Sequence, residues 1–563
     1  MNRLRADVAT ALARHLGLEP ERIERLLVPP KRPELGDLAF PCFAVAKELG
    51  CAPPELAARI ARGLELPVGV ASAEPAGAFV NFRFDRAVLA AEVIERVLSM
   101  GDAYGRSREG EGRTIVMDYS SPNIAKPFHV GHLRSALIGS SLRRLYSSLG
   151  YRVVGINHLG DWGTQFGLVW VGCRRWRGAG ERLPRTVSDF VEVYQRAARA
   201  AESDPSVEDE ARAWFRLLEE GDEEATRFWK HAREVSLHEF EKIYARLGVE
   251  FDAYVGESFY NDKMEPLLRE LRERSLAQVS AGSLGIDLGG ELGFAMLQKA
   301  DGATLYLTRD LAAVEYRWRE YRFDSALYVV GAPQTLHFEQ LKAVLRRLGR
   351  PFAERVVHVP FGHVEGMSTR SGGAILLAEF LDEGHRRALQ AFREEVQKRP
   401  EGLDEEEVAE RVSLSAIVFS DLARGRIKDV RFDWDTALSF RGDTGPYLQY
   451  AHARINGIEA KARVALPERV DGSWLPEEEA HRLVTELERY PSVVQRAAAE
   501  YEPSVVAQYL LDLGHAFSRA NDLLRVKDEP LEVAAPRMAL FAATRRVLAN
   551  GLRLLGIEPV ERM

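Results

Sequence analysis

Cysteine is nearly absent from this chain: Cys42, Cys51 and Cys173 are the only three in 563 residues, and they show no CxxC or metal-ligand spacing. That excludes a disulfide framework and the common zinc-finger spacings, and the thiols read as reduced and structural. Long apolar runs are missing as well. No stretch approaches the roughly 20 uninterrupted apolar residues of a membrane span. The opening MNRLRADVATALARHLG has an amphipathic helix pattern without a signal-peptide core, so a cytoplasmic globular protein is expected. Nor is there a surplus of positive charge. Lys and Arg number 76 against 84 Asp and Glu, a net charge of −8. Any nucleic-acid surface must therefore be basic only locally, and clusters such as Arg134, Arg143 and Arg144 or Arg346, Arg347 and Arg350 are available for it. Internal repeats and low-complexity tracts are lacking too.

What is present divides into four regions, as expected for 563 residues at about 100 to 200 residues per domain. Residues 1–106 read as an α/β unit, with helical patterns over Arg3 to Leu16 and Pro53 to Leu64 and an alternating strand over 77–84. From 107 to 375 strand and helix patterns alternate, which predicts a parallel sheet that binds its ligands at the carboxyl ends of the strands. A charged, helix-rich stretch from about 171 to 290 interrupts that alternation as an insertion. Helices dominate past 376: a connecting region over 376–442, then an all-α bundle over 443–563, where Gly445-Pro446 signals the start of a long helix. The fold class is multidomain α/β.

The densest chemistry lies in Ser120-Ser121-Pro122-Asn123-Ile124-Ala125-Lys126-Pro127-Phe128-His129-Val130-Gly131-His132-Leu133-Arg134. The run Thr114 to Tyr119 before it has strand composition. After it, Leu133, Leu137, Leu142, Leu145 and Leu149 recur at helical spacing. The two histidines thus sit at a strand-to-helix turn, where free N–H groups and the helix dipole favour anions. Gly131 lets a nucleotide approach, and His129 and His132, three apart, share one face of the first turn as donors to phosphate oxygens. The alternative is half of a metal site or a surface pair, although no Cys or third His lies close by to complete a zinc shell.

The segment SSPNIAKPFHVGHLRS resembles the HIGH signature of class I aminoacyl-tRNA synthetases in its arginyl-tRNA synthetase form. Asn157-His158-Leu159-Gly160-Asp161-Trp162-Gly163-Thr164-Gln165-Phe166-Gly167, which by itself reads as a tight structural loop lining the same crevice, resembles that family's NHxGDWGxQFG segment, and TGPYLQYAHARI near the C-terminus resembles its anticodon-binding domain. Pro33-Glu34-Leu35-Gly36-Asp37-Leu38-Ala39-Phe40 and the strand around Asn81 are similar to that family's N-terminal tRNA-contacting domain, and Gly256-Glu257-Ser258 is also familial. The resemblance spans nearly the whole chain. It implies a Rossmann-type catalytic domain with an insertion, an N-terminal additional domain and a C-terminal anticodon-binding bundle. It further implies ATP with Mg2+, L-arginine and tRNA(Arg) as ligands, no tightly bound protein metal, and a monomer. HxGH alone also fits a nucleotidyltransferase without tRNA, and a non-catalytic tRNA-binding relative is the other alternative.

Selecting arginine requires a carboxylate for the planar guanidinium, and a flat ring to stack on helps. Leu305-Tyr306-Leu307-Thr308-Arg309-Asp310 supplies both, with Thr308 expected to cap a helix near Tyr306 and Asp310. The familial pattern DGxxLYLTRD implies that Tyr306 and Asp310 line the amino-acid pocket, together with Gln334 at the next strand end, Asn123 and Asp118. Asp118 stands where the family commonly has Glu, one methylene longer, so a water-mediated contact is expected there. The run Gly366-Met367-Ser368-Thr369-Arg370-Ser371-Gly372-Gly373 resembles a degenerate KMSKS loop whose only cation is Arg370. Gly366 stands in place of the first lysine, and the resemblance implies that Lys126 takes over for it. Met367, Ser368, Thr369 and Arg370 are thereby expected to contact ATP with His129, Gly131 and His132, and Lys126, His129, His132 and Arg370 to be catalytic. Asn81, Tyr447, Gln449 and Tyr450 are the expected tRNA contacts, the tyrosines by stacking on unpaired bases. Asn521 departs from the pattern, replacing an expected aromatic.

Overall fold

A computed structural model describes residues 2–30, 32, 35–176, 183–300, 302–365, 375–395 and 402–563. Pro33, Glu34 and the whole Gly366–Gly373 run, with its expected ATP ligands Met367, Ser368, Thr369 and Arg370, lie outside the described residues.

Among the described residues, five strands form one parallel sheet in the order Val356–Phe361, Ser325–Gly331, Thr114–Asp118, Arg152–Asn157, Ala253–Tyr254. The central strand Thr114–Asp118 is covered on both faces, which is why Ile115, Val116 and Met117 form a continuous apolar run instead of alternating. The helix Leu133–Ser148 follows it and is enclosed almost all round, because one side meets the sheet and the other meets the C-terminal helices Glu478–Ala499 and Leu531–Leu555. The histidine turn is therefore mounted on the most buried helix of the catalytic unit.

The insertion carries the helices Val187–Ala201, Pro205–Glu220 and Glu223–Leu247. It is not helical throughout. Ala253–Tyr254 returns to the parallel sheet as its edge strand, and Gln278–Ser280, Ser283–Asp287 and Phe294–Gln298 form a small antiparallel sheet. These strands are short or glycine-broken, so they left little periodicity to read in the sequence.

In the N-terminal unit the strands Leu38–Pro41, Phe79–Phe84 and Val70–Ala76 pair antiparallel with Phe79–Phe84 in the middle, alongside the helices Asn2–Leu16 and Pro53–Gly63. The helix Arg86–Met100 follows, capped by Asp85, whose carboxylate accepts from the N–H groups of Ala87 and Val88. It packs on Glu478–Ala499 and Leu531–Leu555, so the two ends of the chain share an interface. The connecting region pairs Leu377–Glu395 with Glu405–Leu422. The bundle opens at Gly445–Ala462, where the Thr444 hydroxyl caps the helix by accepting from Tyr447 N–H at 3.1 Å. No helix among the described residues is long and apolar enough to cross a membrane.

Candidate active site

Three residues just past the central strand adopt left-handed backbone: Ser120, Ser121 and Ala125, with φ of 71°, 51° and 54°. Each such non-glycine residue costs on the order of 1 kcal/mol or more and persists only where its surroundings impose it. Here they do. Ser120 N–H donates to Ser135 Oγ at 2.8 Å, which donates on to Val329 O at 2.7 Å, and Ser120 Oγ meets Tyr244 OH at 2.7 Å. Ala125 N–H donates to Ser236 Oγ at 2.9 Å. The adjacent loop contributes Gly160 N–H to Pro122 O, while Ile124 N–H donates to Gly160 O. The path of the chain into the histidine turn is thus fixed from four separate elements.

The turn itself differs in kind from the expected open anion nest. Gly131 N–H donates to His129 Nδ1 at 3.1 Å, Val130 N–H to Ile375 O at 3.1 Å, and His132 N–H to His129 O at 2.9 Å. With these backbone donors committed, the side chains are what this turn has left to offer a ligand. His129 Nδ1 is an acceptor, so its neutral ring carries the proton on Nε2 as an outward donor. The rings of His129 and His132 lie 4.0 Å apart. Burial lowers the pKa of both, and the neighbouring His129 helps bring His132 down to about 4. At neutral pH the pair therefore acts as two uncharged imidazoles. Gly131 also has a different reason to be glycine: a Cβ there would lie 2.8 Å from Cε1 of His129. With His129 as the phosphate donor expected from the sequence, Gly131→Ala should displace its ring and raise the KM for ATP about tenfold, by loss of one hydrogen bond to a charged group. An ATP titration at saturating arginine checks this.

The helix Tyr306–Tyr321 leads into the strand Ser325–Gly331 of the parallel sheet. Its N-cap is Leu305, and Thr308 is wholly buried, its hydroxyl donating to Leu297 O at 2.6 Å. The expected Thr308 cap is therefore replaced by a tie to the strand Phe294–Gln298. Tyr306 is 69% exposed, and Asp310 follows one turn later on the same face. Asp310 Oδ2 accepts from His337 Nε2 at 2.6 Å. Burial pushes the Asp310 carboxyl up, but the His337 hydrogen bond and the attraction of His337, His158 and Arg317 outweigh this, and the net shift is downward. Gln334 is exposed at the end of the turn Ala332–Gln334 that follows the strand Ser325–Gly331. Asn123 is exposed and bridges to Gly160, where a Cβ would overlap Asn123 Oδ1.

Asp118 is placed differently from the expectation of a ligand contact. It is buried, with Oδ2 at 2.7 Å from Arg317 Nη2 and Oδ1 accepting from Ser121 Oγ at 2.8 Å. Arg317 reaches on to His158 Nδ1 at 3.3 Å and lies over the Tyr328 ring. Two residues without an assigned role in the sequence stand at this site. Glu257, in the familial Gly256-Glu257-Ser258, lies 3.0 Å from Arg309 Nη1, and burial raises its pKa to about 7 against the opposing pull of Arg309. His337 gave no signal beyond its place just after a strand end. The loop around Asp161 serves as a brace: the buried carboxylate accepts from Ser258 N–H at 2.8 Å and Ser258 Oγ at 3.0 Å, and Trp229 Nε1 donates to Asp161 O. Lys126 is half-buried and has no hydrogen-bond or ion-pair partner among the described residues.

The family model described as tRNA synthetases class I (R), catalytic domain, matches residues 93–434, and the arginyl tRNA synthetase N terminal domain and DALR anticodon binding domain match 2–84 and 448–563. The arginine–tRNA ligase of Clostridium beijerinckii is 42% identical over 99% of this chain and 100% of its own length, and that of Alkaliphilus metalliredigens 42% over 96% of both. The chain belongs to the arginyl-tRNA synthetases. The Thermus thermophilus arginyl-tRNA synthetase superimposes over the whole of both chains with a TM-score of 0.80 at 26% identity. The reaction of this synthetase joins arginine to tRNA(Arg) with consumption of ATP.

On the RNA side of the synthetase the expected contacts separate. Tyr450 is exposed and Tyr447 partly so, its ring 5.6 Å from that of His515. Gln449 is fully buried, its amide donating to Arg411 O and Glu558 O, and it pins the C-terminal tail. Asn81 is buried in the central strand of the N-terminal sheet. The arginine clusters proposed from the sequence are also taken up internally. Arg134 pairs with Asp421, Arg143 with Asp252, Arg346 with Glu354, and Arg350 with Glu270 and Glu315, while Arg144 and Arg347 bind the carbonyls of Gly248 and Asp287. Sequence proximity of cations had suggested a basic face, but each cation has an acidic or carbonyl partner, from eight residues away for Arg346 to 287 for Arg134.

Proposed function

We propose that the neutral His129 and His132 pair donates to the ATP phosphates while Tyr306 and Asp310 hold the guanidinium of arginine, with Asn123 and Gln334 toward its backbone end. The observation that carries this is the clustering of these groups at the carboxyl edge of the parallel sheet, where ligands of such sheets bind. The arginine carboxylate attacks the α-phosphorus and pyrophosphate leaves, so charge grows on phosphate oxygens and donors fixed in advance lower the barrier. Lys126 supplies the cation that the loop lacks at Gly366, and Arg370 supplies the one the loop retains. Mg2+ enters with ATP as part of the substrate. Tyr447 and Tyr450 stack on unpaired anticodon bases. The enzyme works as a monomer in the cytoplasm.

Aminoacylation assayed across all amino acids tests the reading. Charging of tRNA(Arg) with arginine alone, and exchange of labelled pyrophosphate into ATP with arginine and tRNA present, are the expected results. Tight tRNA binding without charging would return the non-catalytic alternative.

Glu257 adds a pH dependence. With its free-enzyme pKa at about 7, the carboxylate is neutral below that pH and negative above it. Beside a cationic substrate the sign follows: the KM for arginine should rise as pH falls below about 7, and Glu257→Gln should flatten that limb. A pH series of KM values for the two proteins reads this directly.

A further inference from the structure

We infer that His337 is a positioning residue for arginine selection, acting through the carboxylate of Asp310. The inference rests on the reading of Asp310 as the guanidinium partner. His337 stands in the first turn of the helix Thr335–Arg347, which begins at the carboxyl end of the strand Ser325–Gly331, and its Nε2 donates to Asp310 Oδ2 at 2.6 Å. Asp310 Oδ1 has no partner among the described residues. The imidazole therefore fixes the plane of the carboxylate and leaves one oxygen open.

A carboxylate in this place, without such a partner, has reason to turn elsewhere. Arg317 lies on the same helix, His158 on the neighbouring loop, and Arg309 and its partner Glu257 close the other side. Arg317 and Arg309 are held by Asp118 and Glu257. With His337 present, Asp310 is the carboxylate of this group whose protein partner is a histidine and not an arginine, so the guanidinium it awaits is that of the substrate. A forked ion pair is sensitive to the plane of its acceptor, which a single hydrogen bond of this kind sets.

The test measures KM for arginine and for ATP in His337→Ala, His337→Gln and Asp310→Asn, with thermal melting as a check of folding. His337→Ala should raise the arginine KM about tenfold and leave the ATP KM within about twofold, as expected for loss of one charge-assisted hydrogen bond. Gln, whose amide nitrogen reaches the place of Nε2, should recover most of it. Equal defects in Ala and Gln, an unchanged arginine KM, or an ATP KM rising in step would overturn the role of His337. If Asp310→Asn raises the arginine KM while His337→Ala does not, the positioning role alone fails. If Asp310→Asn leaves the arginine KM unchanged, both readings fail.

Discussion

Lys126→Ala should lower kcat by about 10² to 10³ while leaving the KM for arginine nearly unchanged, the loss typical of one preorganised transition-state donor. The run over 366–373 has glycine where the first lysine of a KMSKS sequence would stand and Arg370 as its only cation. Activation places negative charge on phosphate oxygens that two neutral imidazoles can only partly offset. Lys126 lies three residues before His129, on the upstream side of those imidazoles, and it follows Ala125, whose left-handed backbone is held by Ser236. Its ammonium has no partner among the described residues, unlike Arg134, Arg143 and Arg144 downstream. Its base is thus fixed and its charge unspent. Single-turnover pyrophosphate exchange separates the outcomes, and Lys126→Arg should retain more activity than Ala because it keeps the charge. If the arginine KM rises as steeply as kcat falls, Lys126 is a substrate-binding group and the assignment is wrong.

The parts of this site that could be read from sequence are those whose meaning is carried by neighbours in the chain. His129-Val130-Gly131-His132 after a strand, and Tyr306 with Asp310 on one helical face, are local patterns, and the fold places both at the sheet edge. Likewise the helix start at Gly445-Pro446 depends on a few consecutive residues. What was misread depends on distant partners. Thr308 has the right residue type for a cap, but its hydroxyl is taken by Leu297 O eleven residues back. Gly131 was read for the space it gives a nucleotide, whereas the ring of His129 already fills that space. Gln449 sits between two tyrosines of suitable type, yet its amide meets Glu558, 109 residues away. His337 could not be recognised until the strand order brought it to Asp310.

The same dependence on distant partners makes Arg134→Ala the substitution with the largest expected effect on stability. Arg134 is 1% exposed; its Nε lies 3.2 Å from Asp421, and Nη1 donates to Gly362 O at 2.8 Å and Lys428 O at 2.9 Å. Burial raises the pKa of Asp421 despite the attraction of the guanidinium. Removing one partner of such a pair leaves the other charge buried and costs about 3–5 kcal/mol, whereas replacing both by apolar residues is often close to neutral. Arg134→Ala should therefore shift the urea midpoint strongly, and Arg134→Leu with Asp421→Leu together should recover a large part of the loss. A loss below about 1 kcal/mol in the single variant would show that the pair carries no such penalty. The double variant should remain catalytically impaired even when stable. Gly362 lies just before the strand Val364–Glu365, and Lys428 just before its partner Val430–Arg431 of the connecting region, so the two carbonyls that Arg134 grips lead into the two strands of this pair. Because Arg134 is also the second residue of the helix after His132, one guanidinium links the histidine turn to this strand pair. Apolar replacements restore packing but not that link, so stability and kcat should part company in the double variant.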